Sequence, residues 1–198
     1  MTTAALVLAA GGSARMGRPK QLLPVQGRPL LERVLTEVND SHVDEVLVVL
    51  GGHVDAIAAE VDFGRARFIV NPDFGTGMSS SLKAGVRALG PDIDRVIIVL
   101  GDQPDVTALL IDKLLKLQST SGRPSSALDF NGLLHPPVVL ERTLWDELDD
   151  LQGDLGCRAL IRSHPQRVAA LPMGDRGGHP IDIDTLDDYH RLVGGQAE

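Results

Sequence analysis

Four short apolar runs constrain this chain more than any other feature. They are residues 4–10, Glu45–Leu50, Arg67–Val70 and Arg95–Leu100, and each is closed by a turn signal: Gly11-Gly12, Gly51-Gly52, Asn71-Pro72 and Gly101. A strand with one solvated face alternates apolar and polar residues, whereas these runs are nearly continuous, as in strands covered on both faces. Helical patterns lie between and after them, at 29–38, 54–61, 79–89 and 106–117. In 29–38 the residues Leu30, Leu31, Val34, Leu35 and Val38 share one face, and the serines from Ser79 to Ser81 are predicted to cap the third helix. Strand followed by helix, four times over, predicts an α/β fold: a single-domain, mostly parallel, doubly wound sheet.

After residue 118 the rhythm loosens. A polar loop is predicted at 119–126, strands at 127–130, 138–140, 168–171 and 181–183, and helices at 144–151, Cys157–Ser163 and 186–193. No internal repeat or low-complexity linker divides the 198 residues, so one domain over 1–198 is expected. Hydrophobic residues make up 43% and charged residues 23%, the composition of an ordinary globular chain. With 27 acidic and 19 basic residues the formal charge is −8, which argues against a nucleic-acid backbone or an anionic membrane as partner. The single cysteine, Cys157, cannot form an intramolecular disulfide, and neither a signal peptide nor a membrane-length apolar run is present, so a cytoplasmic location is expected.

In an open parallel sheet, ligands bind beyond the carboxyl ends of the strands. Three unusual loops fall there. The first, Gly11-Gly12-Ser13-Ala14-Arg15-Met16-Gly17-Arg18-Pro19-Lys20, combines glycines with three cations. Bare amides and mobile cations together suit a triphosphate, arginine as a bidentate partner and lysine as a point charge. It is not a P-loop, because Arg18-Pro19-Lys20 replaces the Lys-Ser/Thr pair, and it misses the dinucleotide fingerprint, because Ala14 stands where a glycine is needed. The second, from Asn71 to Ser81, places Gly75, Gly77 and Ser79 at a helix start, a ready site for an anion or a hydroxyl. The third, Gly101-Asp102-Gln103-Pro104, puts a carboxylate directly after a buried strand, where it can hold Mg²⁺ or merely cap a turn. Near the end, Asp182 and Asp184 would share one face if 181–183 is a strand. The six histidines show no metal-ligand spacing, and Trp145 at helical spacing with Leu148 and Leu151 reads as core.

The stretch Leu8-Ala9-Ala10-Gly11-Gly12-Ser13-Ala14-Arg15-Met16-Gly17-Arg18-Pro19-Lys20-Gln21-Leu22-Leu23-Pro24 resembles the signature loop of the MobA-like nucleotidyltransferases, and within them the MocA type, molybdenum cofactor cytidylyltransferase. The resemblance runs from about Leu6 to about Tyr189. It implies a Rossmann-like nucleotidyltransferase fold, with residues 1–118 as a nucleotide-binding half and 119–198 as an acceptor-binding half. Ala10 stands where guanylyl-transferring relatives carry glycine, and Pro19 where they carry aspartate, so the resemblance favours CTP. It places Leu8, Ala9, Ala10, Gly11, Gly12 and Ser13 around the nucleotide, Arg15 and Lys20 on its phosphates, and Gly75, Gly77 and Ser79 beside its base and ribose.

The Gly-Asp-x-Pro pattern makes Asp102 the metal-binding residue, and the Asp-Ile-Asp-Thr stretch supplies Asp184 as the second ligand with Asp182 in reserve. Gly153-Asp154-Leu155-Gly156-Cys157-Arg158 resembles an acceptor-side element, nominating Asp154 and Arg158, and puts Cys157 at a small packing position. His135 is nominated too, although Leu134-His135-Pro136-Pro137-Val138 departs from the family's Gly-His-Pro-Val. The reaction implied is attack by an acceptor phosphate on the α-phosphorus of CTP with release of pyrophosphate, on molybdopterin, with a molybdoenzyme as a further partner. A guanylyltransferase, a transferase for another phosphorylated metabolite, and a cofactor-carrying chaperone remain open.

Overall fold

The structure, a computed structural model, describes residues 1–12, 18–173 and 182–194. In chain order the strands are β1 (Thr3–Leu8), β2 (Pro24–Val25), β3 (Arg28–Pro29), β4 (Glu45–Leu50), β5 (Arg67–Val70), β6 (Arg95–Leu100), β7 (Ser125–Phe130), β8 (Leu133–Glu141) and β9 (Val168–Pro172). The helices are α1 (Leu30–Asp40), α2 (Val54–Glu60), α3 (Met78–Arg87), α4 (Ala108–Ser121), α5 (Cys157–Ser163) and α6 (Leu186–Gly194). Seven strands form one sheet in the order β5-β4-β1-β6-β8-β7-β9, and β2 and β3 form a separate hairpin.

β5, β4, β1 and β6 are parallel, β8 runs antiparallel to β6 and β7, and β9 is parallel to β7. One reversed strand in a parallel sheet confirms the mostly parallel, doubly wound expectation. The period of two sorts the apolar runs onto two faces. Ala4, Leu6 and Leu8 join Leu82 of α3 and Leu160 and Ile161 of α5. Ala5, Val7 and Ala9 join α1, α2 and α4 through residues such as Val34, Ile57 and Leu114. Helices on both faces are why β1 is apolar on both sides from Ala4 to Leu8. Ile183 and Leu192 close a third small cluster with Leu23, Val25 and Leu30, which docks α6 on the β2–β3 hairpin.

The four expected strand–helix pairs of the first half are present, with ends shifted by at most four residues, and the β2–β3 hairpin is an addition that was not expected. Four departures have physical causes. The serines do not cap α3: its N-cap is Gly77 with no side-chain cap, and Ser80 Oγ instead donates to Gly77 O at 2.8 Å and Asp73 O at 3.0 Å. Gly77 holds φ at 112°, and a Cβ there would meet the Gly153 backbone at 2.2 Å, so only glycine suits this crossing of two loops. The predicted loop at 119–126 is shortened from both ends, by α4 reaching Ser121 and β7 beginning at Ser125. The predicted helix at 144–151 is two 3-10 turns, Arg142–Leu144 and Asp146–Asp150, in which Trp145 and Leu148 are buried as expected. Asp182 and Ile183 are not in a strand, while Ile181 lies outside the described residues.

A candidate nucleotide and metal site

The chain passes from β1 to β4 and β5 on one side and returns to β6 on the other, so the sheet order switches between β1 and β6. Their carboxyl ends lie together, with Leu8 opposite Leu100. A crevice at such a switch point is the expected ligand position. A cleft of about 520 Å³ opens there, lined by Leu8, Ala9, Ala10, Gly11 and Gly12 from the first loop and by Gly101 and Asp102 from the third. Gly75, Gly77, Met78, Phe74 and Ser81 form another wall, and Lys20, Gln21, Asp154 and Asp184 complete it.

Backbone bonds fix the start of the glycine loop between its neighbours. Ala9 N–H donates to Val49 O at 2.9 Å, and Gly101 N–H donates to Leu8 O at 2.9 Å. Phe74 packs against the loop because residue 51 is glycine: a Cβ on Gly51 would lie 2.6 Å from the Phe74 side chain, whereas one on Gly12 would make ordinary contact with its ring at 3.5 Å. Lys20 opens a 3-10 turn, Lys20–Leu22. The next residue, Gln21, is buried and donates from Nε2 to Ala9 O at 2.8 Å and Gly11 O at 3.0 Å.

Lys20 Nζ lies 2.5 Å from Asp102 Oδ2 and 3.1 Å from Asp184 Oδ1. Two carboxylates more than eighty residues apart in sequence thus converge on one cation. Burial pulls the Lys20 ammonium down, but its charge contact and hydrogen bond with Asp102, reinforced by Asp184, outweigh this, and its pKa is raised. Burial pushes the Asp102 carboxyl above its ordinary value; Lys20 opposes this, while the charges of Asp182 and Asp184 add to it. One ammonium therefore faces an excess of carboxylate. Such a site gains from a divalent cation, and hard oxygen donors suit magnesium or manganese.

Among the described residues no group of three or more His, Cys, Asp or Glu side chains could hold a metal alone. Two carboxylates leaving room for substrate phosphates is the usual arrangement for Mg²⁺. Asp102 and Asp184 fit that role, since a single cationic centre already reaches both.

Of the other nominated residues, Asp182 faces Gln103, whose Nε2 donates to its Oδ1 at 2.7 Å. Ser79 is buried with its N–H donating to Gly153 O at 3.0 Å, and Ser81, not Ser79, lines the cleft. His135 is buried on β8, edge-on to Phe130 at 5.7 Å, and is not among the cleft residues; neither is Arg158. Ser13 and Arg15 lie outside the described residues. Gln21, Phe74, Met78, Ser81 and Gly101 were not singled out by sequence reasoning. Phe74, Met78 and Ser81 stood inside a loop already marked, but only the meeting of Gly12, Gly51 and Phe74 shows which of its side chains matter.

Residues 5–168 match the MobA-like NTP transferase domain. The chain belongs to that family. It is 33% identical over 196 residues to a protein named nicotine blue oxidoreductase from Paenarthrobacter nicotinovorans, covering 95% of each chain. It is 31% identical over 193 residues to the purine catabolism protein PucB of Bacillus subtilis, covering 92% of this chain and 91% of that one. Its fold superposes on the crystal structure of Rv0371c from Mycobacterium tuberculosis with a TM-score of 0.88 at 29% identity, covering 98% of this chain and 99% of the other. Rv0371c has also been crystallised in complex with manganese, and that structure superposes with a TM-score of 0.84 at 28% identity. A divalent metal therefore accompanies this fold in a related protein. This NTP transferase shows no helix long and apolar enough to cross a membrane among its described residues.

Proposed function

We propose that this protein transfers CMP from CTP to the phosphate of molybdopterin and releases pyrophosphate, with Mg²⁺ held by Asp102 and Asp184. The observation that carries the reading is the convergence of Asp102 and Asp184 on one cationic centre in the cleft between β1 and β6. The bound metal would supply Lewis-acid stabilisation of phosphate charge. The chain does the rest. The amides of Ala10, Gly11 and Gly12 hold the triphosphate, with Ser13 and Arg15 following in the same loop. Lys20 neutralises the β- and γ-phosphates as they leave. An acceptor phosphate oxygen attacks the α-phosphorus, the bond to the bridging oxygen breaks, and pyrophosphate takes the electron pair. No general base is needed, because the attacking phosphate is already ionised. Positioning and charge neutralisation supply the rate.

Gly75, Gly77 and Ser79 are assigned to the base and ribose side, where Ser81 and Phe74 join them at the cleft wall. Asp154, which lines the cleft, is assigned to the acceptor side together with Arg158 and His135, which do not line it. Ala10 narrows the base pocket by one methyl group, which suits a pyrimidine. A cytoplasmic setting and handover to a molybdoenzyme belong to the same reading.

The test is pyrophosphate release by purified protein with Mg²⁺, molybdopterin and each of the four NTPs. Turnover with CTP, lost in a folded Asp102→Asn variant, is the expected result. Turnover with GTP alone would make the protein a guanylyltransferase. CTP binding without turnover would point to another phosphorylated acceptor or to a chaperone that carries the cofactor. A second reading rests on the relative from Paenarthrobacter nicotinovorans, which is named an oxidoreductase. Consumption of NADH or NADPH with no requirement for an NTP would favour it.

A further inference from the structure

Asp184 is an exposed side chain, 59% accessible, and yet it must be aimed at Asp102 for the two to share a cation. The means of aiming it lie in the two residues before it. Gln103, directly after Asp102, has no accessible surface. Its Nε2 donates to Asp182 Oδ1 at 2.7 Å, and its Oε1 is buried with no hydrogen-bond partner. That side-chain amide is therefore committed to one carboxylate, at the cost of an orphaned acceptor. Next, Ile183 N–H donates to Asp102 O at 3.2 Å, and the Ile183 side chain is fully buried against the β2–β3 hairpin and α6. Residues 182–184 thus cross the end of β6 with one side chain on Gln103, one in an apolar cluster and one on Lys20.

We propose that the Gln103–Asp182 hydrogen bond is a latch that docks the C-terminal segment on the end of β6 and so positions Asp184 beside Asp102. Gln103 is then a positioning residue and Asp182 its acceptor rather than a metal ligand. The inference rests on the reading of Asp102 and Asp184 as the cation site. Groups that orient metal ligands from behind commonly change metal affinity by about tenfold to a hundredfold when removed.

The experiment measures Mn²⁺ affinity by titration calorimetry, and hydrogen exchange of the amides of 183–194, in full-length protein. Gln103→Leu and Asp182→Leu each remove the bond, and the second alters a half-buried site that tolerates change if the first fails to fold. Both should weaken Mn²⁺ binding by about tenfold and speed exchange in 183–194. Asp182→Asn keeps an Oδ1 acceptor for Gln103. It should leave exchange as in the wild type and Mn²⁺ affinity within about threefold, the residue of one lost charge. A large loss of Mn²⁺ affinity in Asp182→Asn with unchanged exchange would make Asp182 a ligand and overturn the latch. Unchanged exchange in both leucine variants would overturn it as well. The underlying reading fails separately: Asp184→Asn would then bind Mn²⁺ as the wild type does, whatever the latch variants show.

Discussion

Gln21→Leu is the substitution that most directly tests how the glycine loop is held. Leucine is close to glutamine in volume, so the site, only 2% accessible, stays filled. The losses include the pair of hydrogen bonds from Nε2 to Ala9 O at 2.8 Å and Gly11 O at 3.0 Å. A neutral hydrogen bond contributes about 1 kcal/mol net, and a buried carbonyl deprived of a donor costs about 1–3 kcal/mol. Gly11 is exposed and water can replace its partner, but Ala9 is buried, so the larger penalty applies to one carbonyl only. The sum is about 2–4 kcal/mol. For a chain of this size 1 kcal/mol shifts Tm by about 2–4 °C, so Tm should fall by about 4–16 °C.

The loop amides would also lose their alignment toward the triphosphate. KM for the NTP should rise about tenfold with kcat much less affected, because the loop binds ground state and transition state alike. Gln21→Glu is the control: an ionised carboxylate has no donor and would face two carbonyl oxygens, so it should be worse than leucine in both measurements. Calorimetric unfolding and steady-state pyrophosphate release provide the two readouts. A leucine variant within about 1 °C of wild type, or a glutamate variant more stable than the leucine one, would refute the account of Gln21 as the clamp.

Three further outcomes are expected. Lys20→Met removes the ammonium that lies between Asp102 and Asp184, so Mn²⁺ should bind more tightly without nucleotide while the NTP binds more weakly; a loss of both affinities would show that Lys20 holds the carboxylates in place instead. Gly85→Ala puts a Cβ 2.4 Å from Leu6 Cδ1 and 3.0 Å from Val49 Cγ2, and overpacking of about 1–3 kcal/mol should outweigh the gain in helix propensity, lowering the urea midpoint without changing kcat. Burial pushes the Cys157 thiol from 9.0 up to about 12, so it should resist Ellman's reagent at pH 8 until the protein unfolds. The folded-state pKa is the higher one, so this group's contribution to stability is complete below pH 9 and is lost as pH rises towards 12; a serine variant should show a shallower alkaline loss of stability.

The parts of this protein that were legible in its sequence are those whose signal is local. β1, β4 and β6 carry continuous apolar runs because helices cover both faces of the sheet there, whereas β5 carries the same kind of run at the sheet edge with Phe68 and Val70 exposed; a turn residue ends each run where the site begins. Lys20 and Asp102 were legible because a cation after a glycine loop and a carboxylate after a buried strand are uncommon in positions that only need to turn. The stretch at 144–151 misled for a related reason: spacings of three between Trp145, Leu148 and Leu151 suit an α-helix and a 3-10 turn alike. Asp182 and Asp184 were inseparable because a strand would have turned both to one face. They differ only in their partners, Gln103 for one and Lys20 for the other, and those partners lie 79 and 164 residues away. The same limit hid Gln21 and Gln103. Each stands directly after a charged residue of the site, and glutamine on a globular chain is mostly exposed. Nothing local sets these two apart. Their burial arises only when the ends of β1 and β6 meet, and there their amides fix the glycine loop on one side and the C-terminal segment on the other. The charges that meet in the cleft can thus be found from the chain itself, while the neutral groups that hold the segments around them emerge from the contacts the fold creates.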